Sequence, residues 1–494
     1  MRKKLVGTIG LCVVLVACFM LPAAAYEPYE NYTYKSNGEL KNEPQAYTIE
    51  RVLDGDAMGA GSLSEPADIC EGADGRLYIA DTGNNRIVVL DRDFRFVRSI
   101  NAFRNGGETD SFRSPQGVFV TGENLLYVAD TENERIVSLT AEGVLHSVYP
   151  KPELPTGEEN FSYKPVRVCV DSSGRMFVVS RNMNKGMIEL DRKGNFTSFF
   201  GAVEVEKNIF DLIWSNILTQ EQLDRSTISV PTEYAACDID SEGFVYGTVS
   251  ATGRQTSGEI FIRRLNPSGV DVLKRSGPFP PRGDITTTLN SQGVSITSRL
   301  NDISVGKSGM YSVLDTLRGR VFVYDQEGYL LFVFGSLGKN SGAMMAPQAL
   351  EWLDSGYFAV ADSQLNALLI YRATSYAELI YDAEIAQYNR QYAAAQEKWQ
   401  EVLAYSSFSE IAYVGMGKAL YRQGQYQESM YYFKLGGNRT LYSKAFGKHS
   451  GEIMAVWFLP AVYLLAGTAA LYGGWRLYRR VRKRQSSSPK QKGV

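Results

Sequence analysis

Short apolar segments alternate with polar turns along most of this chain. Between about Leu63 and Tyr371 one phrase recurs six times: a small or proline-led strand start, an acidic or glycine turn, an apolar strand, a polar turn and a further Ile/Val strand. Each copy holds about four short strands at a period of roughly 40 to 55 residues, the spacing of propeller blades. The pattern predicts a mainly β fold, a six-bladed β-propeller over residues 47–375.

The first two copies, from Leu63 and Phe112, contain the phrases YIADTGNNRIVVLD and YVADTENERIVSL. These phrases resemble the NHL repeat of six-bladed β-propellers. The resemblance weakens in the fourth copy and implies a bacterial, membrane-anchored member whose repeats serve interaction. Strand-like segments at Tyr47–Leu53 and Ala377–Tyr381 flank the copies, and either one could close the ring by completing a shared blade.

The N-terminus predicts an export signal. A basic start (residues 2–4) precedes an apolar run (5–21) and three alanines (23–25), so we expect residues 1–25 to be a signal peptide cleaved after the last alanine. Cys18 offers an alternative lipoprotein processing site, although the apolar run continues past it. Residues 26–46 then form an N-terminal linker.

A second long apolar segment lies near the C-terminus. Ile453 to Trp475 contains about 23 residues without a charge, enough to cross a bilayer. Basic residues from Arg476 to Arg484 follow at once, which predicts a transmembrane helix with its tail, residues 476–494, in the cytoplasm. We therefore expect a single-pass cell-membrane protein with an extracytoplasmic propeller. The alternative, a buried core helix, is disfavoured because the segment lacks a polar face.

Between propeller and membrane, residues 376–446 change to helical spacing. The segment from Met416 resembles a tetratricopeptide repeat, and the preceding one does so less well. Two such units are fewer than a solenoid needs, so both a helical stalk and a peptide-binding groove remain open. The positions that carry the resemblance are Gly417, Gly424, Tyr426, Ser429 and Phe433, with Tyr392, Ala395 and Trp399 in the first unit.

A further amphipathic helix is predicted inside the propeller at residues 203–226. Its apolar face is expected to cover a blade edge or the mouth of the ring. Contact with a partner or with the membrane surface is the alternative.

Composition excludes several kinds of site. A net charge of −2 gives no basis for nucleic-acid binding. His146 and His449 are the two histidines, so a multi-histidine zinc site is excluded. Cys70, Cys169 and Cys237 lack CxxC spacing and are expected to be buried thiols. No nucleophile elbow, phosphate loop or HExxH motif is present, and we predict no cofactor and no metal.

The candidate chemistry lies on the propeller axis. Aligning the copies on their turn glycines gives a column of Asp68, Gly117, Arg167, Ala236, Asp302 and Ala349. The neighbouring column is Ala67, Gln116, Val166, Ala235, Asn301 and Gln348. Two carboxylates and an arginine facing one channel could bind a polar ligand; the alternative is that Arg167 pairs with Asp68 or Asp302 and closes the channel. The ligand-binding candidates are Asp68, Arg167, Asp302, Asn301, Gln116 and Gln348, with Asn84, Asn85 and Arg86 at a loop tip.

A recurring aspartate ends the second strand of several copies, at Asp81, Asp130, Asp315 and Asp362. Its carboxylate can accept amide hydrogen bonds from a following tight turn, so we interpret it as a turn-forming residue.

The expected function is non-catalytic: a membrane-anchored propeller that binds a protein or a saccharide, as part of an envelope or transporter assembly. The competing hypothesis is an axial-metal hydrolase or lyase, because related six-bladed propellers include lactonases and an amidating-enzyme lyase. Asp68, Asp302 and Asn301 could hold calcium, but Arg167 in the same ring would oppose it.

Overall fold

The computed structural model describes residues 29, 31–154, 161–202, 233–250, 260–276, 279–285, 288–289, 295–296, 298–340 and 342–486. The predicted signal peptide and the predicted helix at 203–226 lie outside the described residues. The described residues form two compact units: one holds those up to 33 and between 41 and 377, and the other holds 34–40 and those from 378 to 486.

The first unit is a six-bladed β-propeller, as the repeat predicts. Its N-terminal strands are β1 (Tyr32–Tyr34), β2 (Leu40–Asn42) and β3 (Tyr47–Asp54), followed by a single helical turn, α1 (Gly55–Met58). Blade 1 contains β4 (Pro66–Glu71), β5 (Leu77–Asp81), β6 (Arg86–Leu90) and β7 (Phe96–Ile100), and a hairpin of β8 (Ala102–Asn105) and β9 (Glu108–Ser111) follows. Blade 2 contains β10 (Pro115–Val120), β11 (Leu125–Asp130), β12 (Arg135–Thr140) and β13 (Leu145–Pro150).

Blade 3 contains β14 (Pro165–Val170), β15 (Met176–Ser180), β16 (Met187–Leu190) and β17 (Phe196–Phe200). Blade 4 contains β18 (Glu233–Ile239), β19 (Val245–Ser250) and β20 (Ile262–Leu265), and the short pair β21 (Thr288–Leu289) and β22 (Ser295–Ile296) follows. Blade 5 contains β23 (Leu300–Val305), β24 (Tyr311–Asp315), β25 (Arg320–Tyr324) and β26 (Leu330–Phe334), and β1 and β2 extend its outer edge. Blade 6 contains β27 (Pro347–Trp352), β28 (Phe358–Asp362) and β29 (Ala367–Ala373).

The N-terminal segment closes the ring. Strand β3 pairs antiparallel with β29 as the outermost strand of blade 6, for example Leu53 opposite Leu368. The other candidate segment, Ala377–Tyr381, is not a strand but part of a helix that begins at Ser375. Closure therefore joins the two ends of the repeat region and leaves blade 6 with four strands.

The core lies between neighbouring blades. Second and third strands such as β5 and β6 are buried on both faces because each blade is sandwiched between two others, so they consist of continuous Leu, Ile, Val, Tyr and Ala. Ile79 and Val88 of blade 1 pack with Leu368 and Ile370 of blade 6. The other face of blade 1 packs with blade 2 through Tyr78, Val89 and Leu126, among others.

The second unit is helical. It contains most of α2 (Ser375–Tyr388), then α3 (Tyr392–Tyr405), α4 (Glu410–Arg422), α5 (Tyr426–Leu435) and α6 (Arg439–Ser486). Trp399 of α3 is fully buried, and a Cβ added at Gly415 would lie 2.2 Å from its ring. Gly417 likewise admits the ring of Phe433. The small and aromatic positions of the resemblance thus lie at helix–helix contacts.

Helix α6 contains the predicted membrane span. It continues from Arg439 to Ser486 with Pro460 inside it. Its most apolar 18-residue window has a mean hydropathy of 1.8, and none of that window is buried against the rest of the protein. This is the one helix in the described part of the chain with the length and composition to cross a membrane.

Candidate functional site

The axial residues are positioned by the same irregularity in every blade. The register of each inner strand shifts by one residue after its start, as between Pro66 and Asp68 or between Leu300 and Asp302. The residue skipped by the pairing is a bulge residue. In the six blades these skipped residues are Ala67, Gln116, Val166, Ala235, Asn301 and Gln348. The neighbouring column of the aligned copies therefore consists of the bulge residues. The main column consists of the residues that follow them.

Arg167 occupies the centre of this ring. Its Nε lies 3.4 Å from Asp68 Oδ1 and 3.7 Å from Asp302 Oδ1. Its terminal nitrogens donate to the carbonyl oxygens of Gln116 (2.9 Å), Val166 (3.0 Å) and Ala67 (3.0 Å). All three carbonyls belong to bulge residues, which β-sheet pairing leaves available as acceptors. Of the two alternatives, the structure shows Arg167 paired with the axial aspartates Asp68 and Asp302.

The axial carboxylates also join adjacent blades. Asp68 Oδ2 accepts from the amide of Val118 in blade 2 at 2.8 Å, and Asp302 Oδ2 accepts from the amide of Leu350 in blade 6 at 2.7 Å. Inner strands of neighbouring blades run side by side without pairing, so their facing amides need acceptors. An aspartate at this position supplies one and links two blades through a charged hydrogen bond.

The structure contains a second layer of axial carboxyl groups, which were not among the predicted site residues. Asp238 Oδ2 accepts from the amide of Val305 at 2.7 Å, joining blades 4 and 5. Glu351 Oε1 accepts from the amide of Glu71 at 2.8 Å, joining blades 6 and 1. Because successive side chains of a strand alternate between faces, these residues follow Ala236 and Ala349 by two positions on the same face. Extending the predicted column by two residues would have identified them.

Burial dominates the electrostatics of this cluster. It raises the pKa of Asp68 to about 7 although Arg167 lowers it in part, with Asp302 adding repulsion. Burial also raises the pKa of Asp238 to about 7, against the stabilising amide bond from Val305. The pKa values of Asp302 and Glu351 are raised for the same reason. Since these carboxyl groups influence one another, they titrate as a cluster.

The remaining predicted residues lie apart from this cluster. Gln116 Oε1 accepts from Arg181 at 2.7 Å, and the exposed Gln348 donates to the carbonyl of Ala346 at 3.2 Å. Asn301 is half-buried. The bulge side chains do not join the axial cluster, and the predicted residues that form it are Asp68, Arg167 and Asp302.

The loop-tip residues Asn84, Asn85 and Arg86 join neighbouring segments of the propeller through hydrogen bonds, an arrangement called here a latch. Asn84 and Arg86 both donate to Asp81 Oδ2, at 2.9 Å and 2.6 Å. Asn85 Oδ1 accepts from the amide of Ser114, which leads into blade 2. Each of these side chains therefore has a partner within the propeller.

The hydrogen bonds of the recurring aspartate extend beyond the turn that the sequence predicts. Asp81 Oδ1 accepts from the amide of Ser64, and Asp130 Oδ1 from that of Arg113, both in the loop before the blade's inner strand. Asp315 and Asp362 accept from the corresponding loop and also from the turn that follows them. The aspartate thus ties the start of the first strand to the end of the second.

A polar cleft of about 570 Å³ lies between blades 3 and 4. Arg175 and Arg263 line it together with Glu189 and Asp271. Arg175 is held by Asp171 at 2.7 Å and Glu189 at 3.1 Å. The cleft offers charges of both signs and a Gly-rich backbone rim formed by Gly201 and Gly269.

The three cysteines expected to be buried thiols, Cys70, Cys169 and Cys237, are buried and free. In the described ranges, no group of three or more His, Cys, Asp and Glu side chains has the geometry of a metal site. The carboxylates nearest to such an arrangement, Asp68 and Asp302, are directed at a guanidinium.

The fold defines the class of this protein as a six-bladed β-propeller with a helical extension and one candidate membrane helix. Residues 63–90, within the first copy, match the family model of the NHL repeat. No curated protein matches the sequence significantly.

Several solved structures are similar to part of the chain. A streptogramin B lyase is 11% identical and covers 67% of this chain and 98% of its own, with a TM-score of 0.39. Virginiamycin B lyase from Staphylococcus aureus is 10% identical over 66% of this chain and 100% of its own, with a TM-score of 0.40. A protein of unknown function from Bacteroides thetaiotaomicron is 12% identical over 70% and 76%, with a TM-score of 0.41. Similarity at this level concerns the fold and carries no activity to this chain.

Proposed function

We propose that this protein is a membrane-anchored extracytoplasmic scaffold whose propeller engages a protein or saccharide partner, within an envelope or transporter assembly. The observation that carries the proposal is the position of Arg167. The guanidinium is held by two carboxylates and three carbonyls, so these axial groups already have partners within the propeller. Binding is therefore assigned to the surfaces of the propeller and of the helical unit.

Two surfaces support a binding role. The cleft between blades 3 and 4 presents Arg263 and Asp271 beside a glycine rim. The helical unit exposes aromatic side chains at Tyr405, Phe408 and Tyr431, which are 57%, 77% and 61% exposed. Exposed aromatic residues are enriched where proteins bind one another.

The anchor is assigned to α6, whose apolar window is exposed along its whole length. The basic residues after Trp475 place the C-terminus in the cytoplasm by the positive-inside rule, and an N-terminal export signal is consistent with that topology. The propeller and helices α2 to α5 then lie on the extracytoplasmic side.

The competing hypothesis, an axial-metal hydrolase or lyase, is not supported by this geometry. Asp68 and Asp302 would have to exchange Arg167 for a metal ion. That exchange would leave three bulge carbonyls without their donor.

The test is affinity purification of the full-length chain from cross-linked, detergent-solubilised membranes. We expect one or a few membrane or envelope components, retained by the wild type and lost from a variant lacking residues 453–494. Y405A/F408A/Y431A and R263E separate the helical surface from the cleft. The control is R95E, since Arg95 is an exposed arginine on blade 1.

The proposal fails if the wild type retains no specific component, or if R95E removes the component as completely as both surface variants do. A saccharide partner is tested on the same variants with immobilised envelope polysaccharide. Binding that R263E abolishes and R95E retains would assign the saccharide to the cleft.

A further inference from the structure

Helix α6 does not end with its apolar segment but continues to Ser486. On this continuation Arg476, Arg479, Arg480 and Lys483 follow one another at spacings of three, one and three residues. Residues three, four and seven apart share one side of an α-helix. These four cations therefore form one strip, called here the basic face.

The other side of the same helical segment is largely apolar. Leu477, Tyr478 and Val481 are exposed to 62%, 61% and 53%. No Asp or Glu occurs after Glu452. The segment is thus amphipathic, with positive charge on one side and apolar surface on the other.

Its depth relative to a bilayer follows from helix geometry. Residues 453–475 span about 35 Å at 1.5 Å per residue, slightly more than the roughly 30 Å of hydrocarbon. With Trp475 at the boundary, the basic face begins one residue later and ends about 12 Å beyond it along the helix. Headgroups occupy that zone, and their field decays within about 8–10 Å.

The arginines contact the interfacial aromatic residues directly. The guanidinium of Arg479 lies 4.1 Å from the ring centroid of Trp475, and that of Arg476 lies 5.9 Å from the ring of Tyr472. These cation–π contacts hold two members of the basic face close to the end of the apolar segment. Their remaining N–H groups are at the depth of lipid phosphates.

We infer that the basic face of α6 binds the phosphate groups of anionic phospholipids in the cytoplasmic leaflet. Guanidinium groups bind phosphate in a bidentate manner, and clustered cations beside a membrane helix recognise anionic headgroups. The apolar side opposite the basic face can contact lipid but would have no contact with an RNA or an acidic protein, so a lipid surface is favoured. The inference rests on the proposed insertion of α6.

The experiment uses the full chain reconstituted into phosphatidylcholine vesicles with a trace of spin-labelled lipid. Electron spin resonance measures the association of spin-labelled phosphatidylglycerol relative to spin-labelled phosphatidylcholine. We expect a preference of about fivefold for phosphatidylglycerol, the effect expected of roughly one effective basic residue. R476Q/R479Q/R480Q/K483Q should reduce the ratio to about one.

The control is K444Q/K448Q, which removes two cations before the span, and it should keep the preference. A preference that survives in the quadruple variant, or that is lost equally in the control, would overturn the inference. So would displacement by inorganic phosphate beyond that by sodium chloride of equal ionic strength, because the site would then be a general phosphate site. Competition by added RNA or by an acidic peptide, with no lipid preference, would assign the basic face to that partner.

Alkaline carbonate washing separates this inference from the proposed function. Wild-type protein that is retained in the membrane but shows no lipid preference overturns the lipid inference alone. Wild-type protein released by carbonate overturns the anchoring and the lipid inference together.

Discussion

The propeller contains two sets of buried aspartates with opposite surroundings. Asp81 and Asp130, at the latches, each accept two side-chain donors and a backbone amide, including Arg86 and Arg135 respectively. Asp68 and Asp302, on the axis, accept one amide each from the next blade and share Arg167.

The difference shows how repetition distributes charge. The latches at Asp81 and Asp130 each contain an aspartate and an arginine from one copy, so the same arrangement recurs in blades 1 and 2. The axis collects one position from every copy, and its charges must balance across the ring. Satisfied carboxylates stabilise locally, whereas the axial group forms a shared network in which one cation serves several acids.

Removing Arg167, the cation that the axial carboxylates share, should give the largest loss of stability. Arg167→Ala should destabilise the protein by about 3–5 kcal/mol, because two buried carboxyl groups and three carbonyls lose their partner. Denaturant titration of the full chain in detergent measures the loss. Arg181→Ala, which removes an exposed contact to Gln116, should cost less than about 1 kcal/mol. Equal effects of the two substitutions would contradict a network centred on Arg167.

A latch should respond less strongly and only within its own copy. Asp81→Ala should cost about 2–3 kcal/mol, since the amide of Ser64 and the side chains of Asn84 and Arg86 lose their acceptor. Asp130→Ala in blade 2 serves as the replicate. Because the two latches share no partner, the double variant should be additive within about 0.5 kcal/mol. Strong coupling would show that the latches belong to one network.

The axial cluster should make stability depend on pH. Its raised pKa values mean that the folded state keeps protons that the unfolded chain releases above about pH 4. The stability contributed by the neutral forms is therefore full below about pH 4 and is lost as pH rises through about 7, the pKa of Asp68 and Asp238. Asp238→Asn should flatten the fall in Tm between pH 5 and pH 8. The control is Asp93→Asn at an exposed aspartate, and an unchanged slope in Asp238→Asn would refute the assignment.

The smallest effect is expected at the bulge side chains. Gln348→Ala should change stability by less than about 0.5 kcal/mol, because its exposed amide makes one bond, to the carbonyl of Ala346. Thermal unfolding provides the measurement. A larger loss of stability would mean that the side chains of the bulge residues, and not only their backbone carbonyls, contribute to the axial network.

Much of the architecture follows from local patterns. Alternating apolar positions and turn residues predict six blades, and the structure confirms them. The aligned column identifies Asp68, Arg167 and Asp302, and these three residues do meet. Asp238 and Glu351 were missed because the alignment stopped at one layer, although strand alternation extends it. The choice of β3 as the closing strand could not be predicted, since two segments had suitable composition.

By itself the sequence determined the blades and the apolar helix, because each depends on residues close together in the chain. Only the tertiary structure decided which segment closes the ring and what Arg167 does. Its partners Asp68 and Asp302 are 99 residues before it and 135 residues after it, and their meeting depends on closure of the whole propeller. Ring closure also removes these acids from water, which raises the pKa of both carboxyl groups and brings that of Asp68 to about 7.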